Sequence, residues 1–254
     1  DMGLILQDQG NLPASLCEFN SYLNIMQCLN KRDPNNNEWM RELAVAHNNI
    51  GGILQSQDNL FDALQEYKAY MEIMKRLIEH DPNDSDWLQN LAISHNNLGG
   101  ILQTINNLPE SLKEFQACMK IMRQLTERDP NNSDWQRKLS ISHNRIGRVL
   151  QSQGNLKGAV EEFEIGLNIM KDLTESGPDN IDWQRGLYMS HYFIASILEQ
   201  QDQLTQALAE REVGLAIIQR LVQIDVTNQK WQQDLQTSLQ ALANLKQRIA
   251  ESGN

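Results

Sequence analysis

Residues 36–67 read NNEWMRELAVAHNNIGGILQSQDNLFDALQEY, and residues 84–115 read DSDWLQNLAISHNNLGGILQTINNLPESLKEF. The second stretch is the first again, 48 residues on, and all five tryptophans keep that step: Trp39, Trp87, Trp135, Trp183 and Trp231. A fixed period of this size marks stacked supersecondary units, each too small to bury its apolar face without its neighbours. Such arrays offer long faces to a partner rather than enclosed pockets.

Within the unit the apolar positions follow helical steps. Trp39, Leu43, His47, Ile50, Gly51 and Leu54 fall on one face of a first helix, and Leu60, Ala63, Leu64, Tyr67, Tyr70, Met74 and Leu77 on one face of a second. No segment alternates with period two, so the spacing predicts an all-α chain. The punctuation agrees. Gly10, Asp58, Asn106, Gly154 and Asp202 are residue types that tolerate the left-handed position ending a helix. Asn11, Asn59, Asn107 and Asn155 come next and suit the cap of the following helix. Asp33-Pro34, Asp81-Pro82, Asp129-Pro130 and Gly177-Pro178 close the second helix. Asn36, Asp84, Asn132, Asn180 and Asn228, three residues before each Trp, predict the next N-cap, while Glu38, Asp86, Asp134 and Asp182 favour the first-turn dipole.

These signals divide residues 1–254 into one array: a truncated first repeat over 1–35, repeats over 36–83, 84–131, 132–179 and 180–227, and a lone closing helix over 228–254. The chain opens partway through a repeat, so residues 1–9 are expected to fray or to continue an excerpted sequence. Repeat five departs most, with Tyr192 and Phe193 in place of an Asn pair, Ala195 in place of Gly and Arg211 in place of an aromatic residue.

The formal net charge of −11 argues against nucleic acid, whose binding rests on neutralising phosphates. No apolar run reaches the roughly 20 residues that span a membrane, and no signal peptide is visible. Cys17, Cys28 and Cys118 lack metal-type spacing, and Cys17 and Cys28 lie too far apart on one helix to pair. Reduced, mostly packed thiols in a cytoplasmic protein are the expectation.

The run His47, Ile50, Gly51, Leu54, Ala63, Tyr67 resembles the tetratricopeptide (TPR) signature, repeated as His95, Leu98, Gly99, Leu102, Ser111, Phe115 and as His143, Ile146, Gly147, Leu150, Ala159, Phe163. The period exceeds the usual 34 residues and is similar to that of long-repeat members such as kinesin light chain and bacterial arrays. The resemblance covers essentially the whole chain. It implies a right-handed α-solenoid that binds another protein or a peptide segment in a concave groove lined by the first helices. Similar bacterial arrays are fused to caspase-like (CHAT) proteases or signalling NTPases, so a sensor or regulatory part of a larger enzyme is the alternative.

The face opposite the core carries Asn48, Asn49 and Gly52, then Asn96, Asn97 and Gly100, then Asn144, Arg145 and Arg148, then Tyr192 and Phe193. Carboxamides offer both a donor and an acceptor to a peptide main chain. In similar TPR proteins the Asn two places before the small residue makes that contact, which here implies Asn49 and Asn97. Outward-facing Gly52 and Gly100 cost about 1 kcal/mol each against Ala, a cost that room for a ligand backbone would justify. Arg145 and Arg148 beside Tyr192 and Phe193 form a candidate hot spot for a carboxylate or phosphate.

His47, His95, His143 and His191 recur, but neighbouring helices pack about 8–10 Å apart, too far to share a zinc ion. No carboxylate recurs beside them on the same helix face, so they read as packed side chains with a hydrogen-bond partner. With no nucleophile–base set, phosphate loop or metal spacing, the reading is a binding module without cofactor or catalytic residues.

Overall fold

The computed structural model describes residues 2–252. Over these residues eleven helices follow one another and no strand occurs: α1 (Met2–Asp8), α2 (Leu12–Arg32), α3 (Asn37–Ser56), α4 (Leu60–His80), α5 (Ser85–Thr104), α6 (Leu108–Arg128), α7 (Ser133–Ser152), α8 (Leu156–Ser176), α9 (Ile181–Gln200), α10 (Leu204–Ile224) and α11 (Gln229–Ser252). They group into two compact units, one ending at Leu125 and the other beginning at Thr126.

The helices form where the caps allow. Asn36, Asp84, Asn132, Asn180 and Asn228 each accept the amide hydrogen of the Trp three residues on, at 2.9–3.1 Å. The turn inside each hairpin passes through a left-handed residue at Gly10, Asp58, Asn106, Gly154 or Asp202, as anticipated. Asn11 and Asn155 cap as expected, but Asn59 does not: its amide donates instead to Asp62 at 2.7 Å. Asp33, Asp81 and Asp129 turn their carboxylates back onto the amide two residues ahead, closing the turn between hairpins.

One contact recurs within the hairpins. A Cβ on Gly3, Gly51, Gly99 or Gly147 would stand only 2.6–2.8 Å from the ring of Phe19, Tyr67, Phe115 or Phe163, respectively. The missing side chain lets the two helices close around a fully buried aromatic. In repeat five both partners change together. Ala195 takes the glycine position, and Arg211 takes the ring position, where it reaches Glu199 at 2.7 Å and lies over Tyr192 at 4.6 Å.

In the first unit, α2 packs on α3 and α4 on α5; in the second, α8 packs on α9, α10 on α11, and α7 also touches α9. The first helices are buried on a wider arc than their simple face predicts. Met40 and Ala44 join Tyr70, Met74 and Leu77 in a second cluster beside the Leu43–Ile50 side. The tryptophans sit at the edge of this packing and are only half-buried, except Trp231. Residues 2–8, expected to fray, are a helix held by the Ser15 hydroxyl donating to the Gly3 carbonyl at 2.7 Å. Cys118 is packed, whereas Cys17 and Cys28 are exposed on α2, because positions 17 and 28 lie off its apolar stripe.

Candidate functional site

Each recurrent histidine has a partner that the single-helix reading did not supply. The Nδ1 atoms of His47, His95, His143 and His191 lie 2.5–2.6 Å from carboxylate oxygens of Glu66, Glu114, Glu162 and Glu210, always 19 residues on and always on the second helix of the hairpin. The expectation that no carboxylate recurs beside them holds along one helix and fails across the hairpin. The signal was in the sequence, since Glu66, Glu114, Glu162 and Glu210 keep the same register as the tryptophans. A carboxylate can orient a catalytic imidazole in this way. Repetition in four hairpins at similar burial instead makes these pairs struts that satisfy a half-buried ring. No group of three His, Cys, Asp or Glu among the described residues could hold a metal ion. No described helix is long and apolar enough to cross a membrane.

In the first unit the carboxamides on the first helices bind one another. Asn97 Nδ2 donates to Asn48 Oδ1 at 3.0 Å across two repeats, and Asn96 Nδ2 reaches Asn97 Oδ1 at 3.4 Å. All four, Asn49 included, are half-exposed. Around Gly100 a Cβ would meet nothing within 4 Å, and at Gly52 it would meet only the Tyr67 hydroxyl at 3.7 Å. Packing therefore requires glycine at 51 and 99 but at neither neighbour.

The second unit handles the same positions differently. Asn144, expected on the open face, is buried, 8% exposed, with Nδ2 only 3.5 Å from the Ser190 hydroxyl and Oδ1 making no hydrogen bond. The cause lies on α8: Gly166 has no side chain to keep the carboxamide out, and Asn144 Oδ1 lies 2.8 Å from where a Cβ would be. Phe193, expected as an exposed anchor, stacks on the core ring of Phe163 at 5.2 Å, with the Arg148 guanidinium 5.8 Å above it. Tyr192 turns instead toward Arg211 and Tyr188.

Asn144, Arg145, Arg148 and Phe193 nevertheless converge, lining a cavity of about 440 Å³ within the second unit. Arg137, Arg185, Lys230, Asp182 and Asp234 supply the rest of its charge, and Ile141, Met170 and Met189 its apolar wall. Tyr192 is not among its walls. Burial holds the Asp234 carboxyl above the usual range, with Arg185 and Lys230 pulling the other way. Arg137 lies on α7 with Asn144 and forms a surface pair with Asp134 at 3.4 Å, whereas Arg185 and Lys230 are brought in by α9 and α11 from further along the chain.

No family model matches this chain, and no curated protein is similar to it in sequence. Solved structures are. BtubC (BKLC) from P. vanneervenii matches over 96% of this chain and 93% of its own at a TM-score of 0.63 and 14% identity. The apo form of RapI matches over 97% and 82% at 0.66 and 12%. The nearly identical TPR-like repeats of a Podosopora anserina kinesin light chain match over 85% and 91% at 0.61 and 13%. The fold is that of a TPR-like repeat array. At these identities the likeness establishes the all-α TPR-like architecture alone, here built on a longer repeat.

Proposed function

We propose that this TPR-like array is a protein-interaction module, whose first-helix faces hold an extended segment of another protein. One observation carries the reading: four residues singled out by their outward register, Asn144, Arg145, Arg148 and Phe193, line a single cavity in the second unit. That cavity sets charged groups beside an apolar wall of Ile141, Met170 and Met189, so it can orient a bound segment as well as cover it. In the first unit the half-exposed Asn48, Asn49, Asn96 and Asn97, beside Gly52 and Gly100, give a main chain both donors and acceptors at close approach. Glycine at 100 has no packing reason, so Gly100→Ala should raise helix stability by about 1 kcal/mol while weakening capture of the partner.

The test is capture of partners by the wild type beside a variant carrying Asn49→Ala, Asn97→Ala, Arg145→Ala and Arg148→Ala. Loss of the captured proteins by a variant of unchanged circular dichroism supports the reading. Identical captured sets from both proteins overturn it.

A further inference from the structure

The two units contain the same cavity built twice. In the first it is lined by Arg41, Ala44, Val45, Tyr70, Met74, Asp84, Asp86, Trp87 and Asn90, in the second by residues that include their counterparts Arg137, Ser140, Ile141, Met170, Asp182 and Gly186. The difference begins at one register position. Tyr70 on α4 walls the first cavity, with its hydroxyl donating to Asn90 Oδ1 at 3.0 Å. In the second unit the equivalent pair is Gly166 and Gly186, and Ser140 replaces Ala44. With the ring gone, Ser140 donates to the Gly166 carbonyl at 2.9 Å, Asn144 folds inward, and the cavity shifts along α7 to Arg145 and Arg148.

The charge changes sign as well. The first cavity sets one arginine against two aspartates, and the second sets five cationic side chains, Arg137, Arg145, Arg148, Arg185 and Lys230, against Asp182 and Asp234. This occurs in a chain whose net charge is −11. Gathering cations at one concave place in an acidic protein raises the local concentration of anionic groups there. Arg137 reaches Asp134 at 3.4 Å and Arg185 reaches Asp234 at 4.0 Å, and Arg145 is engaged as well; Arg148 and Lys230 form no ion pair among the described residues. The lining also holds three buried atoms without a hydrogen bond: Asn144 Oδ1, Arg185 Nε and Asp234 Oδ2.

We infer that the cavity of repeats four and five is a specificity pocket for an acidic segment of a partner protein, with a carboxylate side chain held by the Arg/Lys ring and a neighbouring apolar side chain on Met189 and Phe193. This deepens, and rests on, the reading of the face as a segment-binding surface. Asp234, partly buried beside Arg185, is an acid in the pocket that opposes an anion, so Asp234→Asn strengthens binding.

The experiment selects peptides on the full chain from a random phage-displayed library, then measures the selected peptide by fluorescence anisotropy. The wild type should enrich sequences with Asp or Glu beside a large apolar residue. Arg185→Ala with Lys230→Ala should weaken the selected peptide by about tenfold or more, and Asp234→Asn should tighten it several-fold. A third variant, Ser140→Ala with Gly166→Tyr and Gly186→Asn, rebuilds the side chains of repeat two. It is expected to fold, because repeat two does, and to lose the acidic preference. Enrichment of peptides without acidic residues, or an unchanged preference in the rebuilt variant, overturns the pocket assignment and leaves the general binding role standing. No enrichment at all removes the segment-binding role and the pocket with it. Self-association that disappears in Arg185→Ala with Lys230→Ala would make a second copy the occupant and also overturn the assignment.

Discussion

Between α4 and α5 a tyrosine stands where, between α8 and α9, there are two glycines: Tyr70 and Asn90 in the first unit, Gly166 and Gly186 in the second. The cavities beside them have the same volume, about 440 Å³. The absence of the ring shows in the lining. It let Asn144 sink, and it moved the opening toward Arg145 and Arg148, whose counterparts in repeat two are Asn49 and Gly52. A repeat protein can thus keep one frame and relocate a binding surface through two small residues.

The largest effect expected from that comparison is on stability. Tyr70→Gly imposes repeat four's choice on repeat two, where Ala44, Met74 and Leu77 pack around the ring and Asn48, the counterpart of Asn144, is held outside by Asn97 at 3.0 Å. A cost of about 4 kcal/mol is expected in urea denaturation, from the lost aromatic and the helix glycine together. A cost under ~1 kcal/mol would mean that the first unit relaxes as the second has done. Next come the histidine struts. His143 is 2% exposed and His47 13% exposed at the side chain. His143→Ala, which leaves Glu162 without its buried partner, should cost about 2 kcal/mol and exceed the cost of His47→Ala. Equal costs would deny that burial distinguishes the two units here.

A gain of about 0.5–1 kcal/mol is expected from Asp58→Gly, since Asp58 holds φ at +61° while Gly154 fills the same place in the second unit. Gly154→Ala should show the opposite sign in the same thermal melts. The smallest effect appears only at high pH. Burial leads the causes that push the Tyr22 hydroxyl up to about 12, and burial raises Tyr67 and Tyr70 as well; in the second unit burial raises Tyr188. A raised folded-state value keeps its stability below the unfolded value of 10 and loses it as pH climbs through the folded one. The first unit should therefore lose hydrogen-exchange protection first between pH 10 and 12. Simultaneous loss in both units would contradict that order.

Much of the fold was legible because its signals are local. Caps, left-handed turns and the apolar step of each helix are written within a few residues, and Asn36 or Gly154 can be read without knowing what lies opposite. The histidine partners required pairing two helices 19 residues apart, and only the shared register of Glu66 with Glu114, Glu162 and Glu210 could have shown them. The burial of Asn144 was not legible from its own helix at all. Its cause is an absent side chain at Gly166, and α7 alone reads the same with tyrosine or glycine there. Lys230 and Arg185 reach the pocket from repeats whose own patterns gave no reason to join them to Arg148.

The glycine–aromatic contact lies inside a hairpin, not between hairpins. Four of the copied segments therefore carry this lock within themselves, and duplication hands on a closed piece. Mutation can edit the joints while the pieces stay shut, so such a chain acquires new recognition at its seams first.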